Sequence, residues 1–231
     1  IPKDMLPDNV YKAFNKGTST IMMVIFDDTS SGDGTMEAIT KLRTIAKDQC
    51  YISGISAIVT DTKALVEQEM FIYVCIAALV SILVLSLLMD SFLIPIFFML
   101  SIGMAIVYNL GSNFVVGEIS YITKALAAVL QLGVTMDYSI FLWHSYEEQL
   151  EKYPEDNKKA MAEAITATIS SVVSSSITTV AGFVALCFMS FTLGLDLGIV
   201  MAKGVILGVI SCVTILPSFI LLFDKAIQKT K

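Results

Sequence analysis

The chain has 231 residues, of which 55% are hydrophobic and 16% are charged, and its mean hydropathy is +0.76. A soluble domain has about a quarter of its residues charged, so this composition argues against a purely soluble protein. The net charge of −6 argues against nucleic acid as a partner, because surfaces that bind nucleic acid are rich in Lys and Arg.

Charged residues are frequent in residues 1–69, which we interpret as a partial extracytoplasmic domain. The apolar run at 20–26 predicts a strand, because it has strand length and precedes a turn rich in Asp, Ser and Gly. A helix is predicted next from apolar residues at helical spacing, which are Met36, Ile39, Leu42 and Ile45. A second strand is predicted at 50–59. This strand–helix–strand unit is α+β and has little core of its own, so the rest of the domain is expected upstream.

Five later segments predict membrane-spanning helices. A helix needs roughly 20 apolar residues to cross a hydrocarbon core of about 30 Å. The segments that meet this condition are 70–88, 92–111, 122–143, 169–191 and 198–223. The predicted fold class is therefore a mainly α, polytopic membrane protein with a five-helix transmembrane domain at 70–223 and a short cytoplasmic tail at 224–231.

The lysines between these segments predict the orientation of the chain. Segments 144–168 and 224–231 contain several lysines, whereas loops 112–121 and 192–197 contain none. Because Lys and Arg mark cytoplasmic loops, the N-terminal domain is predicted outside and the C-terminus inside. Five spans with an outside start predict a further helix upstream, so that the chain is a fragment of a longer protein. In 144–168, an amphipathic surface helix is expected to lead into the next span.

Asp137 is the most informative single residue. It lies well inside a predicted span, where a carboxylate costs about 2.5–3.5 kcal/mol on insertion scales. Such a residue normally faces a polar cavity or a partner, and a low dielectric favours its protonated form. A carboxyl group of this kind can load and release protons across a membrane. The alternative is a protonated Asp that only hydrogen-bonds to a neighbouring helix.

Hydroxyl groups in the next span are candidate partners of Asp137. Ser175 and Thr178 lie at a similar depth to Asp137 and are able to stabilise it or to hold a short file of waters. Their alternative role is helix packing, because small polar residues let helix backbones approach closely. Four glycines are assigned to helix packing: Gly133, Gly182, Gly204 and Gly208. The first lies one turn before Asp137, and the last two form a GxxxG pattern.

Several motifs together resemble one transporter family. The run Gly133-Val-Thr-Met-Asp137-Tyr138-Ser-Ile-Phe141-Leu142 resembles the fourth-helix motif of the MMPL branch of the RND superfamily. The run Ser175-Ser-Ile-Thr178-Thr-Val-Ala-Gly182-Phe183 is similar to the fifth helix of that family. Residues 160–164 and 54–70 resemble the stretches before the fifth and second helices.

The resemblance implies two homologous halves, of which this chain corresponds to part of a ferredoxin-like, porter-type domain plus helices two to six. It also implies a proton-driven exporter of lipids or other hydrophobic molecules in a bacterial plasma membrane. Asp137 and Tyr138 are then half of a proton relay, with Ser175 and Thr178 as further members. A second homologous half, in the same full-length chain or in an oligomer, is expected to complete the relay. This chain departs from the family in having no second Asp-Tyr helix.

Two other functions stay open. A protein-export auxiliary similar to SecDF uses related helices, although its helix-four motif differs from the Gly-x-x-x-Asp-Tyr pattern present here. A lipid- or sterol-sensing module is the second alternative, since helices two to six also form the sterol-sensing domain. No enzyme, cofactor or metal is expected, because the sequence has no nucleophile–base pair, metal cluster or phosphate loop. The expected partners are the lipid bilayer, a hydrophobic or lipid substrate, protons and the second half.

Overall fold

The computed structural model describes residues 7–115, 117 and 119–229. Residues 1–6 of the predicted N-terminal domain, residues 116 and 118 of a predicted outer loop and residues 230–231 of the predicted tail lie outside the described residues. The chain forms two units, one ending at Ala64 and the other beginning at Leu65.

The structure is mainly helical. Its elements in chain order are α1 (Asp8–Phe14), β1 (Asn15–Lys16), β2 (Ser19–Thr20), α2 (Asp33–Ala46), α3 (Ile55–Leu88), α4 (Leu93–Gly111), α5 (Tyr121–Lys152), α6 (Asn157–Leu186), α7 (Thr192–Leu222) and α8 (Asp224–Lys229). Short 3-10 helices follow α2 at Lys47–Gln49 and α4 at Ser112–Val115.

In the first unit, β1 and β2 form a short antiparallel hairpin, in which Asn15 pairs with Thr20 and Lys16 with Ser19. Gly17 in the connecting turn has a φ of +62°, a conformation that glycine adopts without steric cost. The hairpin continues by one further hydrogen bond, from the amide of Ile21 to the carbonyl of Phe14.

Helix α2 is joined to the first turns of α3 by two ion pairs. Arg43 Nη2 donates to Asp61 Oδ2 at 2.8 Å, and Lys63 Nζ lies 3.2 Å from Asp33 Oδ1. Ile39 of α2 is buried, with 2% of its surface exposed. The predicted helix in this region is therefore present, with an exposed charged side and a buried apolar position.

Both predicted strands of the N-terminal domain are wrong. Residues 21–26 have no regular structure, and Ile21–Ile25 are each between 57% and 84% exposed. A strand needs a neighbouring strand to bond its backbone groups, and within the described residues only β1 and β2 are paired. The second prediction, at 50–59, is divided at Gly54, which has a φ of +122°; α3 begins directly after it.

The five predicted membrane-spanning helices are confirmed. Helices α3 to α7 are each long and apolar enough to cross a membrane. Helices α3, α5, α6 and α7 begin before their predicted spans or continue after them, because a helix continues into the polar interface as long as no residue interrupts its hydrogen bonds. Helix α3 thus begins at Ile55 rather than near residue 70. Helix α4 agrees with its predicted span to within one residue, and α6 ends at Leu186, short of the predicted end at 191.

The connection between α5 and α6 differs from the prediction of a long inner loop with a surface helix. Helix α5 runs to Lys152 and α6 begins at Asn157, so the two helices form a tight hairpin. Pro154 lies in the turn, and Asp156 caps α6 because its side chain accepts a hydrogen bond from the amide of Lys159 at 3.0 Å. The predicted surface helix is therefore the first part of α6 and not a separate element.

Helices α4, α5 and α7 lie in the interior of the second unit, and α3 and α6 lie at its periphery. The apolar windows of α4, α5 and α7 are 44%, 44% and 39% buried, against 6% for α3 and 11% for α6. The main core lies toward the end of the bundle where α5 ends and α6 begins. Its large buried side chains include Trp143, Tyr146, Phe98, Met161 and Leu216.

Candidate functional site

Asp137 lies at the middle of α5, about 23 Å from either end of the helix at 1.5 Å per residue. Its side chain is exposed at the surface of the chain. Tyr138, the next residue, is 3% exposed and belongs to the main core. Successive side chains point about 100° apart around a helix, so Asp137 faces away from the bundle while Tyr138 fixes α5 within it.

The surface beside Asp137 has room for another group. Gly133 lies one turn earlier on the same exposed face, and a Cβ added there meets no atom within 4 Å. Gly182 on α6 is also exposed, with the same open space. Neither glycine therefore lies at a close helix contact within this chain.

The two hydroxyl residues proposed as partners lie on α6 and are exposed. Thr178 Oγ1 donates to the carbonyl of Ser174 at 3.2 Å, within its own helix. Ser175 lies on the same helix face, about one turn away from Thr178. In the part of the chain that the structure describes, no hydrogen bond joins Asp137 to Ser175 or Thr178.

The other two glycines lie at close helix contacts. A Cβ on Gly204 is placed 2.6 Å from Asn109 Nδ2 and 3.0 Å from Gln131 Oε1. A Cβ on Gly208 is placed 2.5 Å from Thr135 Oγ1. Since real Cβ atoms do not come so close to other groups, these two positions of α7 need glycine to pack against α4 and α5.

A set of buried amides connects the interior helices at this contact. Asn109 Nδ2 of α4 donates to Gln131 Oε1 of α5 at 2.8 Å, and Gln131 Nε2 donates to the carbonyl of Gly204 in α7 at 3.1 Å. Asn109 and Gln131 are 0% and 1% exposed. We call these three residues the amide cluster. The amide cluster was not predicted from the sequence. An Asn and a Gln within apolar segments indicate hydrogen bonds between helices, but residue spacing does not show which residues they bond to.

A second polar contact joins α4 to α7 directly. The hydroxyl groups of Ser101 and Ser211 lie 3.3 Å apart, and Ser211 Oγ also donates to the carbonyl of Ser101 at 3.0 Å. Both side chains are buried. This pair does not involve α5, which distinguishes it from the amide cluster.

A cleft lies where α5 ends and α6 and α8 begin. Its volume is about 270 Å³, and its lining includes Trp143, Tyr146, Pro154, Asn157 and Asp224. Asn157 Nδ2 donates to Asp224 Oδ2 at 2.6 Å, which ties the start of α6 to α8. The carboxylate therefore has a structural hydrogen bond at this end of the bundle. Among the described residues, no three His, Cys, Asp or Glu side chains are grouped so that they could hold a metal ion.

The chain is similar to one protein family and to several membrane proteins. A model of the MMPL family matches residues 15–231. The membrane protein ActII-3 of Streptomyces coelicolor is 32% identical over 126 residues, which are 54% of this chain and 17% of that protein. A membrane protein of Methanocaldococcus jannaschii is 35% identical over 100 residues, which are 43% of this chain and 25% of that protein.

A third relative covers nearly the whole chain. The apo-petrobactin exporter of Bacillus anthracis is 27% identical over 247 residues, which are 97% of this chain and 33% of the exporter. The chain thus spans 17% to 33% of the length of these three relatives. No solved structure matches the chain significantly.

Proposed function

The chain belongs to the MMPL family, and from this premise we propose that it forms half of a proton-motive-force-driven exporter of lipids or other hydrophobic compounds. It is a multi-pass membrane protein with five helices that can span a bilayer. The relative that covers 97% of the chain carries the name of an exporter. This name favours export over the SecDF-like and the sterol-sensing alternatives.

The observation that carries the proposal is the exposed carboxylate of Asp137 at the middle of α5. A charged Asp facing lipid at this depth costs about 2.5–3.5 kcal/mol. A second protein surface that covers Asp137 and supplies hydrogen-bond partners or water removes that cost. The open space at Gly133 fits the approach of such a surface.

In this proposal Asp137 takes up a proton from the outer side and releases it to the inner side. Tyr138 holds α5 in the core beside it, and the hydroxyls of Ser175 and Thr178 on α6 offer exposed sites for water. A second homologous half supplies the groups that face Asp137. Substrate passes through the extracytoplasmic domains, of which the region up to about residue 69 forms a part.

The proposed location is a bacterial plasma membrane, with residues 1–69 outside and the tail from 224 in the cytoplasm. The tight α5–α6 hairpin and α8 are then on the cytoplasmic side. Lys152, Lys158, Lys159 and Lys225 lie at these elements, which agrees with the preference of Lys for cytoplasmic segments.

Carbodiimide labelling of carboxyl groups, with the pH set separately on the two sides of the membrane, tests the proposal. The complete gene product is reconstituted in liposomes, and labelled carboxyl groups are located by mass spectrometry. We expect the labelling of Asp137 to depend on the proton gradient across the liposome membrane, because the proposed relay takes up a proton on one side and releases it on the other. Asp90, an exposed residue between α3 and α4, is the internal control, and its labelling should not depend on the gradient when the pH on its own side of the membrane is held constant.

Export assays with isosteric variants complete the test. Asp137→Asn should abolish proton-driven export without changing the thermal unfolding of the protein, whereas Asp90→Asn should leave export unchanged. The proposed relay is wrong if the labelling of Asp137 responds to the gradient no more than the labelling of Asp90 does, or if Asp137→Asn exports at the wild-type rate.

A further inference from the structure

Helix α5 has polar residues on two opposite faces. Gln131, Thr135 and Ser139 are at most 1% exposed and point into the bundle, whereas Gly133 and Asp137 are exposed. At about 3.6 residues per turn, the two sets lie about 180° apart around the helix axis. A rotation of α5 about its own axis therefore changes the surroundings of both faces together.

The inward face of α5 is fixed at one point by two hydrogen bonds to two different helices. Gln131 accepts from Asn109 of α4 at 2.8 Å and donates to the Gly204 carbonyl of α7 at 3.1 Å. Both ends of one side-chain amide are thus used, and they bond to two different helices. A planar group held in this way is satisfied at one rotation of α5, because turning the helix in either direction lengthens one of the bonds.

The backbone of α7 contributes to the same contact through its shape. The space where Gly204 would carry a Cβ is filled by the Asn109 and Gln131 amides, at 2.6 Å and 3.0 Å from the ideal Cβ position. The amide cluster therefore fills the gap that the glycine leaves. Its hydrogen bonds and its packing restrict α5 to the same orientation.

Other residues on the inward face of α5 restrict the rotation of the helix less than Gln131 does. Ala127 and Ala128 are buried there, and small side chains tolerate rotation without losing a directional bond. Ser139 Oγ donates to the carbonyl of Thr135 within α5 itself, at 3.3 Å. Ser139 also lies against Cys212 of α7, and Thr135 lies close to Gly208. Among the described polar residues of this face, Gln131 is the one that bonds to two other helices.

We propose that Gln131 is a positioning residue, whose two interhelical hydrogen bonds set the rotation of α5 and so direct Asp137 out of the bundle toward its proton-exchange partner. This inference rests on the proposed function of Asp137. Gln131 does not touch the proton path and acts only through the orientation of the helix. The expected consequence of losing it is a change in the accessibility of the opposite face, not only a loss of stability.

An interhelical hydrogen bond in a membrane protein contributes about 0.6 kcal/mol on average. Two such bonds change the equilibrium between two rotational positions of α5 by about eightfold. Gln131→Met keeps the approximate length and volume of the side chain and removes both bonds. Ser211→Ala is the matched control, because it removes a buried hydrogen bond between α4 and α7 and leaves α5 untouched. Gly204→Ala perturbs the amide cluster by sterics without removing an amide.

The experiment measures the maleimide reaction rate of Gly133→Cys in the complete gene product in liposomes. A side chain at this position meets no atom within 4 Å in this chain, and Cys75 on α3, which is exposed, serves as the internal standard resolved by mass spectrometry. We expect Gln131→Met and Gly204→Ala to change the ratio of the two rates several-fold, up to about eightfold. Ser211→Ala should leave the ratio unchanged.

Carbodiimide labelling of Asp137 at a single pH, in the same variants, should follow the same pattern. If Gln131→Met lowers the unfolding temperature without changing the reactivity of the Gly133→Cys thiol or of Asp137, Gln131 has only a structural role, and the proposal is overturned. The same conclusion follows if Ser211→Ala changes the reactivities as much as Gln131→Met does. A failure of Asp137 as a proton carrier is recognised separately, by the export assay and the gradient-dependent labelling of the wild-type protein. The maleimide rate ratio reports only the rotation of α5 and does not depend on proton transfer.

Discussion

Replacing Gly204 by Ala tests how closely α7 packs on its neighbours. The new Cβ falls 2.6 Å from Asn109 Nδ2 and 3.0 Å from Gln131 Oε1, so that the amides must move. Overpacking of this kind costs about 1–3 kcal/mol, and the loss of two interhelical hydrogen bonds adds about 1 kcal/mol. The higher helix propensity of Ala returns up to about 1 kcal/mol. We therefore expect a net loss of about 1–3 kcal/mol.

Gly133→Ala is the matched control, because the same methyl group meets no atom within 4 Å. Only the propensity term remains, so this variant should be equal to wild type or more stable by up to about 1 kcal/mol. Unfolding in mixed detergent and SDS micelles, followed by far-UV circular dichroism, measures both free energies of unfolding. If Gly204→Ala unfolds at the same SDS fraction as Gly133→Ala, the close packing of α7 on the amide cluster is refuted.

Three further substitutions test other parts of the structure. Trp143→Ala, at the single Trp of the chain, removes a side chain that is 1% exposed and should lower the free energy of unfolding by about 3–5 kcal/mol in the same SDS titration. Arg43→Ala should lower the thermal unfolding temperature of the N-terminal unit only slightly, because both side chains of the Arg43–Asp61 pair are exposed. This small difference should disappear at high salt, which screens exposed charges. A large decrease that does not depend on salt would contradict this expectation. Ser175→Leu should leave thermal unfolding unchanged and reduce proton-driven export, because it removes a hydroxyl proposed to hold water. Ile177→Leu, at a 63% exposed position of the same helix, should change neither, and equal export by both variants would contradict the proposed role of Ser175.

The membrane-spanning helices could be predicted from the sequence because the length of an apolar segment is read directly along the chain. Helices α3 to α7 need about 20 apolar residues each, and the residues that supply them are contiguous. The two predicted strands failed for the opposite reason. A run such as Ile21–Ile25 has strand composition, but its conformation depends on a neighbouring strand that cannot be read from the run itself.

The candidate site was predicted only in part for a similar reason. Asp137 is recognisable from sequence because a carboxylate in an apolar segment is costly wherever it points. Which residues surround it depends on helix rotation and on neighbouring elements. The roles of Ser175 and Thr178 therefore stay a prediction. The partners of Gln131 became visible only when the contacts of α4 and α7 were known.

The tight turn between α5 and α6 has a consequence for how the protein is made. The most apolar stretches of these two helices are less hydrophobic than those of α3, α4 and α7. A marginally apolar segment with an ionisable residue enters the bilayer poorly by itself. Because only residues 153–156 separate the helices, the ribosome delivers them almost together, and we expect them to insert as one helical hairpin. A nascent chain stopped after Lys152 should then leave α5 incompletely inserted in a glycosylation-mapping assay, whereas a chain that includes α6 should insert both. The short connection thus makes the biogenesis of the Asp137 helix dependent on the helix that follows it.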